Sequence, residues 1–151
     1  MKPPIYPPIA SGSQAQQYLH RARMFHVAAT DPPLPDYRNG EPFWPKYALL
    51  THAIELSLKA FHHHSLEGGK LPPSKEPDNH DLMGWYQFAV YYGLSDEPDI
   101  VEYIAMLNEL HFGHFTRYPQ VREKPIPDAS TIAETVVEHL ISTFTPVINP
   151  R

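Results

Sequence analysis

Eighteen prolines punctuate this chain of 151 residues, about twice the usual share of roughly 5%, and their placement decides where helices can form. A proline inside a helix costs about 3 kcal/mol, because it lacks the amide donor and its ring collides with the preceding turn. Five windows are free of it: Ile9 to Asp31, Lys46 to Leu71, Asp78 to Glu97, Asp99 to Tyr118, and Asp128 to Thr145. Pro32-Pro33-Leu34-Pro35, Pro72-Pro73, Pro98 and the stretch Pro119 to Pro127 separate them. The pattern predicts five helices joined by Pro-rich loops.

Apolar spacing inside the windows agrees. Tyr18, Ala22, Phe25 and Ala29 recur at helical intervals in the first, with Ser13 and Gln16 in capping-box spacing ahead of them. Leu82, Trp85, Ala89 and Tyr92 make one stripe in the third, with Asp78 and Asn79 as alternative N-caps. The fourth opens on Ser95 as an N-cap and carries Ile100, Ile104, Leu107 and His111 on one face. The fifth has Thr131 and Glu134 in capping-box spacing, then Ile132, Val136, Leu140 and Phe144. Strand-like alternation never lasts more than a few residues. The expected class is all-α with no sheet, an up-and-down bundle of four to five helices spanning 13–145, with a Pro-rich extension over 1–12 and a tail over 146–151.

The second window is apolar nearly all round. Leu49, Ala53, Leu56 and Ala60 form one stripe, and Leu50, Ile54, Leu58 and Phe61 form another beside it. Such a helix belongs at the centre of the bundle, with Ile54 in the core. Its one polar line is His52, Glu55, Lys59 and His62, and this line is the most informative feature of the chain. Glu55 and Lys59 stand at i and i+4 in the favourable order, a structural ion pair, the floor of a ligand site or a solvated helix edge.

Composition removes several classes of function. The absence of cysteine excludes disulfides, thiolate nucleophiles and cysteine-ligated zinc. A net charge of -5 removes a broad electrostatic footprint for nucleic acid. No apolar run approaches the length of a membrane span, and the start Met1-Lys2-Pro3-Pro4-Ile5 has no signal-peptide core, so a cytoplasmic protein is expected.

Two further groups can carry chemistry. His80 and Asp81 open the third helix, with Asp81 in its first turn; this corner either caps the helix or docks on Glu55 and Lys59. His111, His114 and Arg117 follow in steps of three near the end of the fourth, ahead of Tyr118-Pro119. Such steps span an arc of about 120°, close enough to hold an anion. Arg117, Arg122 and Lys124 are the only local basic concentration. The loop-proximal triplet His62-His63-His64 and the sequence His52-x-x-Glu55 lack the second copy that a bundle metal site uses, so neither metal nor cofactor is expected.

The run Thr51-His52-Ala53-Ile54-Glu55-Leu56-Ser57-Leu58-Lys59-Ala60, followed by His80-Asp81-Leu82, resembles the HEPN (higher eukaryote and prokaryote nucleotide-binding) helical domains. Gly93-Leu94 and Arg117-Tyr118-Pro119 are similar to bacterial members, and the resemblance spans roughly Tyr18 to Leu140. It implies a helical bundle, commonly a homodimer, linked to toxin-antitoxin or defence systems, in which a nucleotidyltransferase is a typical partner. It also makes Glu55, Lys59, His80, Asp81, Arg117 and Tyr118 the candidate binding residues. Catalytic members are metal-independent ribonucleases with an Arg, four to six residues, then a His. Here the only histidine after Arg117 is His139, far outside that window, and Arg21 and His26 diverge on the first helix. The expected function is therefore non-catalytic binding of a protein partner, a nucleotide or RNA. The alternatives are a metal-independent ribonuclease using His111 or His114 with Arg117, and a bundle that binds a small molecule between helices two, three and four.

Overall fold

The computed structural model describes Lys2, residues 12–112 and residues 127–150, with 110–112 as backbone only. Five helices dominate the described residues: α1 (Gln14–Thr30), α2 (Trp44–Glu67), α3 (Leu82–Tyr91), α4 (Pro98–Phe112) and α5 over 129–148. The all-α reading holds, with one exception. Tyr37–Arg38 (β1) and Glu41–Pro42 (β2) pair antiparallel as a two-stranded ribbon, Tyr37 opposite Pro42 and Arg38 opposite Glu41. Asn39 and Gly40 join them with φ of 54° and 80°. Two successive positive φ values suit the two-residue turn that Asn-Gly favours, so the expectation of no sheet missed a signal present in the sequence.

Each helix begins for a local reason. The capping box of α1 forms as expected: Ser13 Oγ accepts from the Gln16 amide, and Gln16 Oε1 accepts from the Ser13 amide. The four other starts differ. α2 begins at Trp44 rather than Lys46, because Pro45 sits in the first turn, where no amide donor is required. α3 is capped by Asp81 rather than Asp78 or Asn79, and α4 opens on Pro98, leaving Ser95 ahead of the cap position. Asp128 caps α5, accepting from the Thr131 amide and hydroxyl, so Thr131 lies inside the helix instead of capping it.

α5 is not uniform. Ala129–Thr131 is α-helical, Ile132–Val137 is π-helical and Glu138–Ile148 returns to α. The widened turn turns Ile132, Ala133, Val136 and Val137 all into the core. The helix continues through Pro146 to Ile148, three residues beyond the expected end at Thr145. Arg23 supports this last turn by donating to Thr145 Oγ1 at 2.6 Å.

α2 is the central helix. α1 packs along it, and α3 and α5 lie against its other sides. Leu50, Ile54 and Leu58 of α2 are fully enclosed with Leu19, Leu82, Ile104, Leu107, Ile132 and Phe144. The stripe Leu82, Trp85, Ala89 and Tyr92 is buried along its whole length. At the other end of the bundle Lys46 is buried and donates to the Leu34 carbonyl at 2.8 Å and to Asp36 Oδ1 at 2.7 Å. Ser130 donates to Asp36 Oδ2 at 2.7 Å, so one carboxylate ties the ribbon loop to α2 and α5.

Candidate functional site

The polar line of α2 lies in a seam closed by the connection 68–81. Gly69, at φ of 91°, reverses the chain after α2. The connection then runs back antiparallel to the helix and meets the polar line in register. His62 Nε2 contacts Glu76 Oε1 at 2.9 Å, Lys59 Nζ donates to Asn79 Oδ1 at 3.4 Å, and His80 Nδ1 contacts Glu55 Oε1 at 2.9 Å. As the connection advances from 76 to 80, its partners retreat from 62 to 55 along α2. The spacing of polar residues along the helix therefore matches an irregular strap laid over it.

Glu55 is the hub. Lys59 Nζ donates to its Oε2 at 3.1 Å, while His80 holds Oε1, and the Glu55 and Lys59 side chains are only 6% and 11% exposed. Burying an ion pair removes water from both charges, so the extra partners at His80 and Asn79 are what make the arrangement tolerable. Lys59 also lies 5.4 Å from the centre of the Trp85 ring, a cation–π contact across the α2–α3 interface. The Trp85 indole donates to the Asp78 carbonyl at 3.0 Å and so grips the strap from below.

One turn further along, His62 is fully buried and both its ring nitrogens are engaged. A carboxylate only accepts, so in the neutral ring Nε2 donates to Glu76 and Nδ1 accepts from the Tyr92 hydroxyl at 2.9 Å. The Tyr92 hydroxyl is pushed above its ordinary pKa of 10.0 by burial and by the charge of Glu76, which keeps it a donor. Next to it, burial and the neighbouring His62 pull His63 below the ordinary histidine value. His62, His63 and His64 all lie within α2 rather than beside a loop, and among the described residues no three His, Asp or Glu side chains gather as metal ligands.

The sequence candidates divide accordingly. Glu55, Lys59 and His80 come together. Asp81 does not join them; its side chain accepts from the Gly84 amide at 3.0 Å and caps α3, the capping alternative rather than the docking one. His52, the first residue of the polar line, faces the Phe25 ring at 5.4 Å and the His80 ring at 6.2 Å. His114, Arg117 and Tyr118, like Arg122 and Lys124, lie outside the described residues, and His111 is described by its backbone alone. Glu76, Asn79 and Tyr92 are partners the sequence does not announce, since no helical or strand period links residues 14, 20 and 30 positions apart.

A histidine oriented by a carboxylate is the arrangement from which general bases are made. In this seam, however, both oxygens of Glu55 and both nitrogens of His62 already serve contacts between α2, the strap and α3. These contacts fasten α2 to the strap and to α3. Compared with family models, with curated proteins and with solved structures, the chain matches none of them.

Proposed function

We propose that this chain is a non-catalytic helical domain of HEPN-like organisation that acts by binding, as a homodimer and together with a protein partner of nucleotidyltransferase type, a nucleotide or RNA. The observation that supports the reading is the occupation of the Glu55 carboxylate by Lys59 and His80, which directs the motif residues to holding the bundle in one shape. A rigid presented surface is what a binding domain needs.

The toxin-antitoxin or defence setting belongs to the same proposal and rests on the HEPN resemblance. Three measurements test it together. Light scattering should give twice the chain mass. Structured and single-stranded RNA incubated in chelator with wild type and with His114→Ala should remain intact in both, while labelled ATP or RNA added to the protein shows saturable anisotropy changes. Cleavage by wild type that disappears in His114→Ala would replace this reading with the ribonuclease one.

A further inference from the structure

Away from the seam, two hollows adjoin at the end of the bundle formed by the last turns of α2, the α3–α4 turn and α5. One, of about 300 Å³, is lined by Leu94, Ser95, Glu97, His139, Thr143 and Phe144. The other, of about 250 Å³, is lined by His64, Ser65, Gly68, Lys70 and Tyr92. Phe61, Gly93 and Val147 border both. We infer that this double hollow is a binding site for an apolar monocarboxylate, its body on the Phe61 floor and its acid group at Lys70.

The floor is rigid and aromatic. Phe61 stacks on Phe144 with centroids 4.6 Å apart and rings within 9° of parallel, and Tyr92 meets it edge-on at 6.4 Å. A flat or aliphatic body laid against it buries apolar area on both sides without disturbing the core. Gly93 keeps the passage between the hollows open: it adopts φ of 118°, and nothing lies within 4 Å of the place where a Cβ would stand. Val147, 43% exposed, forms an apolar rim.

The charge is asymmetric. Glu97 and His139 face each other at 3.8 Å in the larger hollow. Among the described residues, the smaller hollow contains Lys70 and the imidazole of His64 and no acidic side chain. Lys70 is exposed, and its Nζ donates to the Tyr92 carbonyl at 2.6 Å. An ammonium has three donors, so the one engaged at Tyr92 leaves others for a ligand. Lys70 also supplies positive charge at the C-terminal end of α3. An acid group on a ligand whose body lies on Phe61 completes this cation, and a neutral ligand leaves it as it was. The inference does not rest on the HEPN-like reading: Gly93 and Leu94 fall in a stretch that carries that resemblance, but none of the lining residues is among its candidate binding residues.

The test uses the intact chain and 4-phenylbutyrate as probe, with 4-phenylbutyramide and butyrate as controls, followed by amide resonances in NMR. Expected is saturable one-to-one binding that shifts the resonances of Gly68 and Gly93, about tenfold or more weaker for the amide, as loss of a charge-assisted hydrogen bond implies. Lys70→Met should weaken the acid about tenfold and leave the amide unchanged. Lys70→Arg should restore it, and Lys75→Met, on the same connection but lining neither hollow, should have no effect. Val147→Glu, a rim change on an exposed position, should repel the acid without unfolding the bundle. A hydrophobic peptide with a free C-terminus, set against its amidated form, separates a chain terminus from a free acid as the natural source of the carboxylate. Equal binding of acid and amide, shifts elsewhere on the surface, or no saturation by either form of carboxylate would overturn the proposal.

Discussion

Glu55 is the side chain on which most of the buried polar chemistry turns, and its removal leaves Lys59 charged, enclosed and without its main partner. Glu55→Ala is expected to lower unfolding free energy by about 3–5 kcal/mol in urea denaturation. A double-mutant cycle with Lys59→Met should give a coupling of about 1–3 kcal/mol, well above the level of under about 1 kcal/mol typical of exposed pairs. Zero coupling would return both residues to a solvated helix edge. Asp36 gives a prediction in pH. Burial pushes its carboxyl up, but the hydrogen bonds from Lys46 and Ser130 outweigh this and hold it below the ordinary 3.8. A carboxyl with a lowered folded-state pKa contributes stability that is fully present above the unfolded value and is lost as pH falls through the folded one. Wild type should therefore lose stability below about pH 3.8 more steeply than Asp36→Asn. Parallel titration curves for the two proteins would show that Asp36 is not held in this way.

Among the elements, α3 shows how much one glycine and one cap contribute. A Cβ on Gly84 would stand 2.6 Å from Asp81 Oδ2 and 2.8 Å from the Pro77 side chain. Both belong to the segment that crosses the helix start, so neither can yield without moving the cap. Gly84→Ala should destabilise the protein although alanine is the better helix former, and Asp81→Ala should cost about 1 kcal/mol through the lost cap alone. Thermal melts of the two variants and of their combination check this; a Gly84→Ala protein as stable as wild type would mean that the cap has room to shift. In α2, Ile54→Ala removes a fully buried side chain at the bundle centre and should cost about 2–5 kcal/mol. An unchanged urea midpoint would take α2 out of the centre.

At the scale of the whole molecule, the strap decides how the helices are held. Its side chains meet those of α2 at three successive places, and it forms no helix or strand of its own between Lys70 and Asp81. Segments held in this way open locally at less cost than the core they cover. Glu76→Ala combined with Asn79→Ala should speed trypsin cleavage after Lys70 and Lys75 several-fold while far-ultraviolet circular dichroism stays unchanged. Cleavage at the wild-type rate would show that Trp85 and the Glu55–His80 contact hold the strap by themselves. No described helix is long and apolar enough to cross a membrane.

What the sequence determined by itself is whatever depends on neighbours in the chain. Proline placement set the helix windows, three- and four-residue spacing set the buried faces of α2 and α3, and Ser13 with Gln16 set the first cap. Asn39-Gly40 carried its hairpin equally locally, although alternation too short to notice concealed it. The partners of the polar line were not legible, because His62 with Glu76, Lys59 with Asn79 and Glu55 with His80 join residues whose separation in sequence follows no helical or strand period. Only the path of the strap brings them together. The same holds for the hollows around Phe61, where three elements distant in sequence meet. Local periodicity determines which face of a helix is apolar; tertiary packing decides which charge meets which, because a buried charge is stabilised by whatever partner the fold delivers to it.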